Sequence, residues 1–342
     1  MKKVKVKKAV GLVLGHDLTR IVPGQFKGVA FKKGHIIREE DIPALLDLGK
    51  ETIFVLDIPP GTLHENEAAQ RLAEALRGEQ LALQGPAEGK ISLVAQSKGL
   101  LKIHVPALNR INRIPQIIVS TLHNHTVCRE GDVVAATRII PLTLVEKGIL
   151  RAEQICAQYG PVVTIRPFTV KKVGVVVTGS EVFTGRVKNG FDQWVGNKLT
   201  DYGCSIIEKV TVPDKLPLIS GAIREMIGLG CDLIVTTGGM SIDPDDVTRK
   251  GIRRAGARII FYGTPVLPGA MFLYARLGEV PLLGLPACVF FHQVTLFDLM
   301  LPLILAGERP TKKEIAALGH GGLCRNCPEC RYPVCPFGKG GY

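Results

Sequence analysis

The chain has 342 residues, 46% of them hydrophobic and 22% charged, enough for two domains with sizeable cores. Its 43 basic and 31 acidic residues leave a net charge of +12, which favours anionic partners. With aromatic residues at 6% and no nucleic-acid module in the chain, a phosphate-bearing small molecule is expected and nucleic acid is not.

The opening MKKVKVKKAV has charge but no apolar segment behind it, which argues against a secretory signal. The longest uncharged run, Val280 to Phe297, contains Pro281, Pro286, His292 and Gln293 and reads as core strand and helix. A cytoplasmic protein with no membrane partner is expected.

Val10 to Leu14 reads as a strand, Glu39 to Leu48 as a helix stopped by Gly49, and Thr52 to Leu56 as a strand. Thr62 and Glu65 are spaced as a capping box for a helix running to Arg77. From Ile91 to Leu144 short β-rich runs alternate with Gly, Pro and Asn. His123, His125 and Cys128 lie within that stretch, lack a fourth ligand and read as ordinary β-module residues.

After Pro167 strands and helices alternate. Strands are expected at Val173–Val177, Ser205–Val212, Asp232–Thr236, Arg258–Tyr262 and Pro281–Leu285. Helices are expected at Gln193–Tyr202, Leu216–Gly228, Asp246–Ala255 and Val289–Leu305. Continuous apolar strands in this rhythm imply an α/β fold, a mostly parallel sheet covered on both faces. The expected organisation is a mixed α+β region over 1–170, a three-layer α/β domain over 171–308 and a Cys-rich tail over 309–342.

In such a sheet ligands bind at the carboxyl ends of strands, so the loops there carry the argument. In LIVTTGGMSIDPDDVTR, Gly238 and Gly239 allow a tight turn whose amides can face an anion. Thr236, Thr237 and Ser241 add hydroxyl donors. Asp243, Asp245 and Asp246 crowd beside them, which suits a phosphate site only if Mg²⁺ bridges the charges. The alternative is that Asp245 or Asp246 caps the following helix.

TGSEV (Thr178 to Val182), Pro213-Asp214, TTGGMSIDPDDVT (Thr236 to Thr248), Pro268-Gly269 and GLP (Gly284 to Pro286) follow one another in a distinctive order. That order and spacing resembles the molybdopterin-binding domain shared by molybdopterin adenylyltransferases and molybdotransferases. Gly28 to Val55, with Gly34, Ile42 and Gly49, is similar to the segment that precedes the first motif in molybdotransferases. The resemblance implies a transferase of molybdenum cofactor biosynthesis that binds molybdopterin or its adenylate with Mg²⁺. It puts catalytic carboxylates at Asp214 and Asp246. It puts cofactor-binding positions at Thr178, Gly179, Ser180 and Glu181 in the first loop, and at Asn197. Further cofactor positions fall at Thr236, Gly238, Gly239, Ser241, Asp245 and Thr248, and at Gly269 and Pro286. A homo-oligomer and a molybdoenzyme partner also follow from it.

Some positions depart from the pattern. The glycine loop reads GGMS, a PGKP-type turn reads PGAM without its lysine, and an LPGNP motif reads LPACV. Val195 stands where an Asp precedes the helix Asn, while Asn197 is retained. The C-terminal β domain of the molybdotransferases is not expected here. These changes leave a second reading: a non-catalytic carrier, sensor or maturation factor. Arg249, Lys250, Arg253 and Arg254 are expected on a solvated helix face.

Of nine cysteines, Cys128, Cys156, Cys204, Cys231 and Cys288 stand singly among apolar residues. The rest form Cys324-x2-Cys327-x2-Cys330-x4-Cys335 followed by Pro336. Thiols this dense suit zinc or an iron–sulfur cluster, and the Cys-Pro ending leans towards [4Fe–4S]. Gly319, Gly321 and Gly322 are expected to make a flexible joint before this metal site, which should act independently of the pterin site.

Overall fold

The computed structural model describes residues 2–22, 26–56, 59–87, 89–140, 142–169, 171–241 and 246–340. Two compact units emerge: Met1–Val94, His104–Thr121 and Val133–Val163 form one, and Ala95–Ile103, Leu122–Asp132 and Thr164–Tyr342 the other.

In the first unit, Thr52–Leu56 lies between Lys2–Lys5 and Val13–Leu14, antiparallel to both. Its alternation sends Ile53 and Val55 into a cluster with Val6, Leu14, Ile37 and Leu45. The strand expected from Val10 is shortened to Val13–Leu14, because Val6–Lys8 turns as a 3-10 helix and Gly11 follows at φ 80°. The Thr62–Glu65 capping box does not form. Thr62 is drawn into a strand, Thr62–His64, paired with Thr143–Val145, and the cap of helix Glu65–Leu76 is the His64 ring, which accepts the Asn66 amide at 3.2 Å. That helix packs on Glu146–Tyr159, and Arg71 forks between Glu153 (2.9 Å twice) and Glu146 (2.7 Å). The β-rich stretch supplies a four-stranded antiparallel sheet, in the order Ile117–Thr121, Val133–Ile139, Lys90–Ala95, Leu81–Ala87.

The second unit is built around a six-stranded sheet: β1 Lys172–Thr178, β2 Ser205–Val212, β3 Leu233–Thr237, β4 Arg258–Tyr262, β5 Leu273–Leu277 and β6 Val280–Leu285. Their order is β2-β1-β3-β6-β5-β4, parallel from β2 to β6 and antiparallel through β5 and β4. Period-two alternation divides the strands between two cores. Val173, Val175 and Val177, with Leu233, Val235, Leu283 and Leu285, meet Phe297, Met300 and Leu301 on one face. Val176, Ile234 and Leu282 meet Ile219, Ile223, Met226 and Ile252 on the other. The domain is therefore α/β in three layers, as expected. Gly174 is required for this: a Cβ there would lie 2.6 Å from the Met226 Cβ, so only glycine lets helix Leu216–Gly228 sit this close.

Helix Leu296–Leu305 starts seven residues later than the apolar run suggests. Thr295 and Asp298 form a reciprocal capping box that fixes its first turn, and Ala287–Phe290 is a separate 3-10 turn. Burial pushes the Cys128 thiol up to about 12 and that of Cys156 up to about 11, so both behave as small hydrophobes. Burial and the neighbouring Lys102 ammonium, 3.2 Å away, push His125 down to about 4. Among the described residues no helix is long and apolar enough to cross a membrane.

The tail does not hang from a joint. Leu267 donates its amide to Gly322 O and accepts from the Cys324 amide, both at 2.8 Å, making a parallel bridge between Leu267 and Leu323. Gly322 is a packing position: a Cβ would lie 2.5 Å from Leu318 O and 2.7 Å from Pro265 O. Phe337 is 4% exposed within the same core as helix Leu296–Leu305.

Candidate functional site

Strands β1, β2, β3 and β6 run parallel, so Thr178, Val212, Thr237 and Leu285 end at one edge of the sheet. From β1 the chain moves outward to β2, and from β3 it moves to the opposite side, so the strand order reverses between β1 and β3. That reversal is the place where open α/β sheets leave a crevice for ligands.

The β1 and β2 loops are laced together. The Ser180 amide donates to Asp214 Oδ2 at 2.8 Å, the Ser180 hydroxyl to the same oxygen at 3.2 Å, and the Asp214 amide to Ser180 Oγ at 3.2 Å. Asp214 Oδ1 is covered yet has no hydrogen-bond partner among the described residues. A buried acceptor without a donor is costly, and a cation is one group that would satisfy it.

The β3 loop is pressed against β1. Gly238 (φ 89°) and Gly239 (φ 57°) turn left-handed directly after Thr237. A Cβ on Gly238 would stand 2.1 Å from Thr178 O, and one on Gly239 would stand 2.2 Å from Thr248 Oγ1. Thr178 Oγ1 donates to Thr237 O at 3.1 Å and lies 2.8 Å from Thr248 Oγ1. Thr178, Thr236 and Thr248 are each at most 2% exposed, and the Thr236 hydroxyl faces Leu283 O at 3.4 Å. All three hydroxyls thus face protein partners and hold the loop. Thr248→Val keeps the shape and removes the link to Thr178. We expect it to lower stability by about 1 kcal/mol, read as a thermal shift of a few degrees; an unchanged melting point would mean the pair does not brace the loop.

Asp246 is half-buried and already has an interaction partner. The cap position of helix Thr248–Arg254 is Val247, which makes no side-chain cap bond. Asp243 and Asp245 lie outside the described residues. Ser241 is half-buried in the loop, whereas Ser180 and Glu181 are exposed and Gly179 (φ 140°) is buried beneath them. Gly269 (φ 132°) abuts helix Leu296–Leu305: a Cβ would be 2.6 Å from Leu296 Cβ, and the Leu296 amide donates to Pro268 O at 3.1 Å. Pro286 is buried at the end of β6. Asn197 is exposed and donates its side-chain amide to Gln193 O at 3.3 Å.

One group escaped the sequence reading. Arg249 is not on a solvated face: its guanidinium stacks over the Tyr262 ring at 4.2 Å and reaches Ser241 O at 3.5 Å. The Tyr262 hydroxyl donates to Met240 O at 2.7 Å, so the pair supports the GGMS loop from below. Thirteen residues separate them along the chain, which is why linear spacing gave no signal. Lys250, Arg253 and Arg254 are exposed, as expected.

Cys324, Cys327, Cys330 and Cys335 line one cavity of about 970 Å³ together with His292 and Phe337. Among the described residues no three His, Cys, Asp or Glu side chains are gathered closely enough to hold a metal ion.

Residues 174–306 match the family described as "Probable molybdopterin binding domain", and residues 3–57 match one described as "Domain of unknown function (DUF8806)". A CinA-like protein of Mycolicibacterium vanbaalenii is 34% identical over 109 residues, 32% of this chain and 24% of that protein. The chain spans about a quarter of the length of the curated relatives it matches. Among solved structures, CinA of Thermoplasma acidophilum is 23% identical over 34% of this chain and 88% of its own, with a TM-score of 0.32. The molybdopterin biosynthesis enzyme MoaB of Thermus thermophilus is 20% identical over 42% of this chain and 100% of its own, with a TM-score of 0.33. With its loop motifs in order at the carboxyl edge of a three-layer sheet, the segment 174–306 belongs to the molybdopterin-binding domain family.

Proposed function

We propose that the strand-end loops of the second unit bind molybdopterin or its adenylate and take part in adenylyl or molybdate transfer with Mg²⁺. The observation that carries this reading is Asp214, whose Oδ2 is held by two Ser180 donors while Oδ1 is buried without a partner among the described residues. Transfer at a phosphorylated dithiolene needs neutralised charge and fixed position more than a covalent nucleophile. Asp214 and Asp246 are the carboxylates that would hold Mg²⁺, which supplies that neutralisation when bound. The amides of Gly238 and Gly239, with Ser180 and Ser241, are the donors for phosphate or pterin. Thr178 and Thr248 act by bracing the glycine turn.

A second reading, a carrier or maturation factor for a molybdoenzyme, is favoured by the turn Pro268–Met271, which offers no lysine, and by Ala287–Phe290, which closes into a 3-10 turn after Pro286. In either reading a homo-oligomer is expected, and the tail cysteines take a soft metal, [4Fe–4S] or Zn²⁺. The deciding experiment incubates the full chain with molybdopterin, ATP, Mg²⁺ and molybdate, then identifies bound and released pterin species. Mg²⁺-dependent appearance of an adenylated or metallated pterin supports the transferase. Bound but unaltered pterin supports the carrier, and failure to retain any pterin refutes both.

A further inference from the structure

The cysteine tail is wired into the pterin domain at a site loop. Its first cysteine is hydrogen-bonded through Leu267, the residue directly before the Pro268–Gly269 turn. Gly269 in turn rests on Leu296, the first residue of the long apolar helix. Tyr332 donates to Asp298 O at 3.2 Å, so the middle of the tail is anchored to the first turn of that helix. Cys324, Cys330 and Cys335 pack on the core, while Cys327 is exposed.

The local backbone around the first pair is shaped for a thiolate. Asn326 adopts φ 48°, and this turn aims its amide at Cys324 Sγ at 3.5 Å. Amide donors of this kind stabilise negative sulfur and tune metal–thiolate sites. All four cysteines line one cavity, and among the described residues no three of them are gathered closely enough to hold a metal ion, so binding would have to draw them together. The thiols lose their protons as metal binds, which couples binding to local folding.

From these contacts we propose that Cys324, Cys327, Cys330 and Cys335 form a thiolate metal centre that is a structural part of the pterin domain, clamping the Leu267–Gly269 turn through the Leu267–Leu323 bridge. This rests on the metal reading of the tail, not on the identity of the pterin ligand. The metal is therefore not an independent appendage, and its loss is felt at the loop beside the pterin site.

The test uses the full chain, purified anaerobically and, separately, with zinc supplied. Elemental analysis and visible absorption distinguish the two thiolate-bound species: a brown protein with about four irons, or a colourless one with about one zinc. Hydrogen exchange is then followed at the Leu267 and Cys324 amides before and after chelation. We expect chelation, or Cys327→Ser, to speed exchange at both amides by about tenfold or more. Cys327 is exposed, so a packing role alone predicts that Cys327→Ser changes nothing. Absence of both metals from either preparation, or a disulfide among these cysteines, overturns the metal centre and leaves the pterin reading untouched. Metal that can be removed without changing exchange at Leu267 and Cys324 overturns the clamp while the metal reading stands.

Discussion

Gly238→Ala is expected to collapse the site and destabilise the second unit. The new methyl would meet Thr178 O at 2.1 Å and Thr178 Oγ1 at 2.8 Å, and neither end is a flexible tip: the first is backbone, the second is pinned to Thr237 and Thr248. The left-handed φ of 89° adds conformational strain to the overlap. Together the two effects should cost roughly 2–6 kcal/mol. Gly230→Ala is the matched control. Gly230 is also left-handed, at φ 76°, but nothing lies within 4 Å of the added carbon, so only the strain of about 1 kcal/mol remains. Melting temperature and soluble yield read the difference. Equal losses in the two variants would show that the close approach of the β3 loop to β1 does not matter.

Asp214→Asn should leave the fold standing and remove Mg²⁺-dependent chemistry or affinity. The remaining amide oxygen can still accept from the Ser180 amide, so the β1–β2 lacing survives. The new NH₂ replaces Oδ1, which is covered and has no partner among the described residues. A stability loss of about 1–2 kcal/mol is therefore expected, against at least about tenfold loss of Mg²⁺-dependent binding or turnover. Asp246→Ala should act in the same direction. Its loss should exceed the roughly 1 kcal/mol expected from a lost helix cap. Isothermal titration of pterin with and without Mg²⁺ checks both variants. Binding that is equally weak with and without Mg²⁺ in the wild type would remove the metal role from these carboxylates.

β1, β3 and β6 were legible because buried parallel strands are continuous apolar runs, whereas β2 and β4 lie at the two edges of the sheet and carry charged residues, Glu208 and Lys209 in β2 and Arg258 in β4. β5 was not read: LYARL places Arg276 inside the run, and the strand is defined by antiparallel pairing with β6 on one side and the edge strand β4 on the other. Helices Val105–Ile111 and Glu146–Tyr159 were hidden in or beside the β-rich stretch, and Pro106 at the start of the first reads as a breaker unless it sits in a first turn.

The order of the loop motifs, and with it the family of residues 174–306, is fixed by local sequence, because glycines, prolines and capping residues act on the backbone within a few positions. Contacts between distant segments were decided only by the tertiary structure. Ser180 with Asp214, Thr178 with Thr248, Arg249 with Tyr262 and Leu267 with Cys324 are all joined by parallel-sheet crossovers or by the return of the tail. No periodicity records such pairings, since each partner is equally at home on a loop, a solvated helix or a flexible end until the sheet brings its neighbour within hydrogen-bond reach.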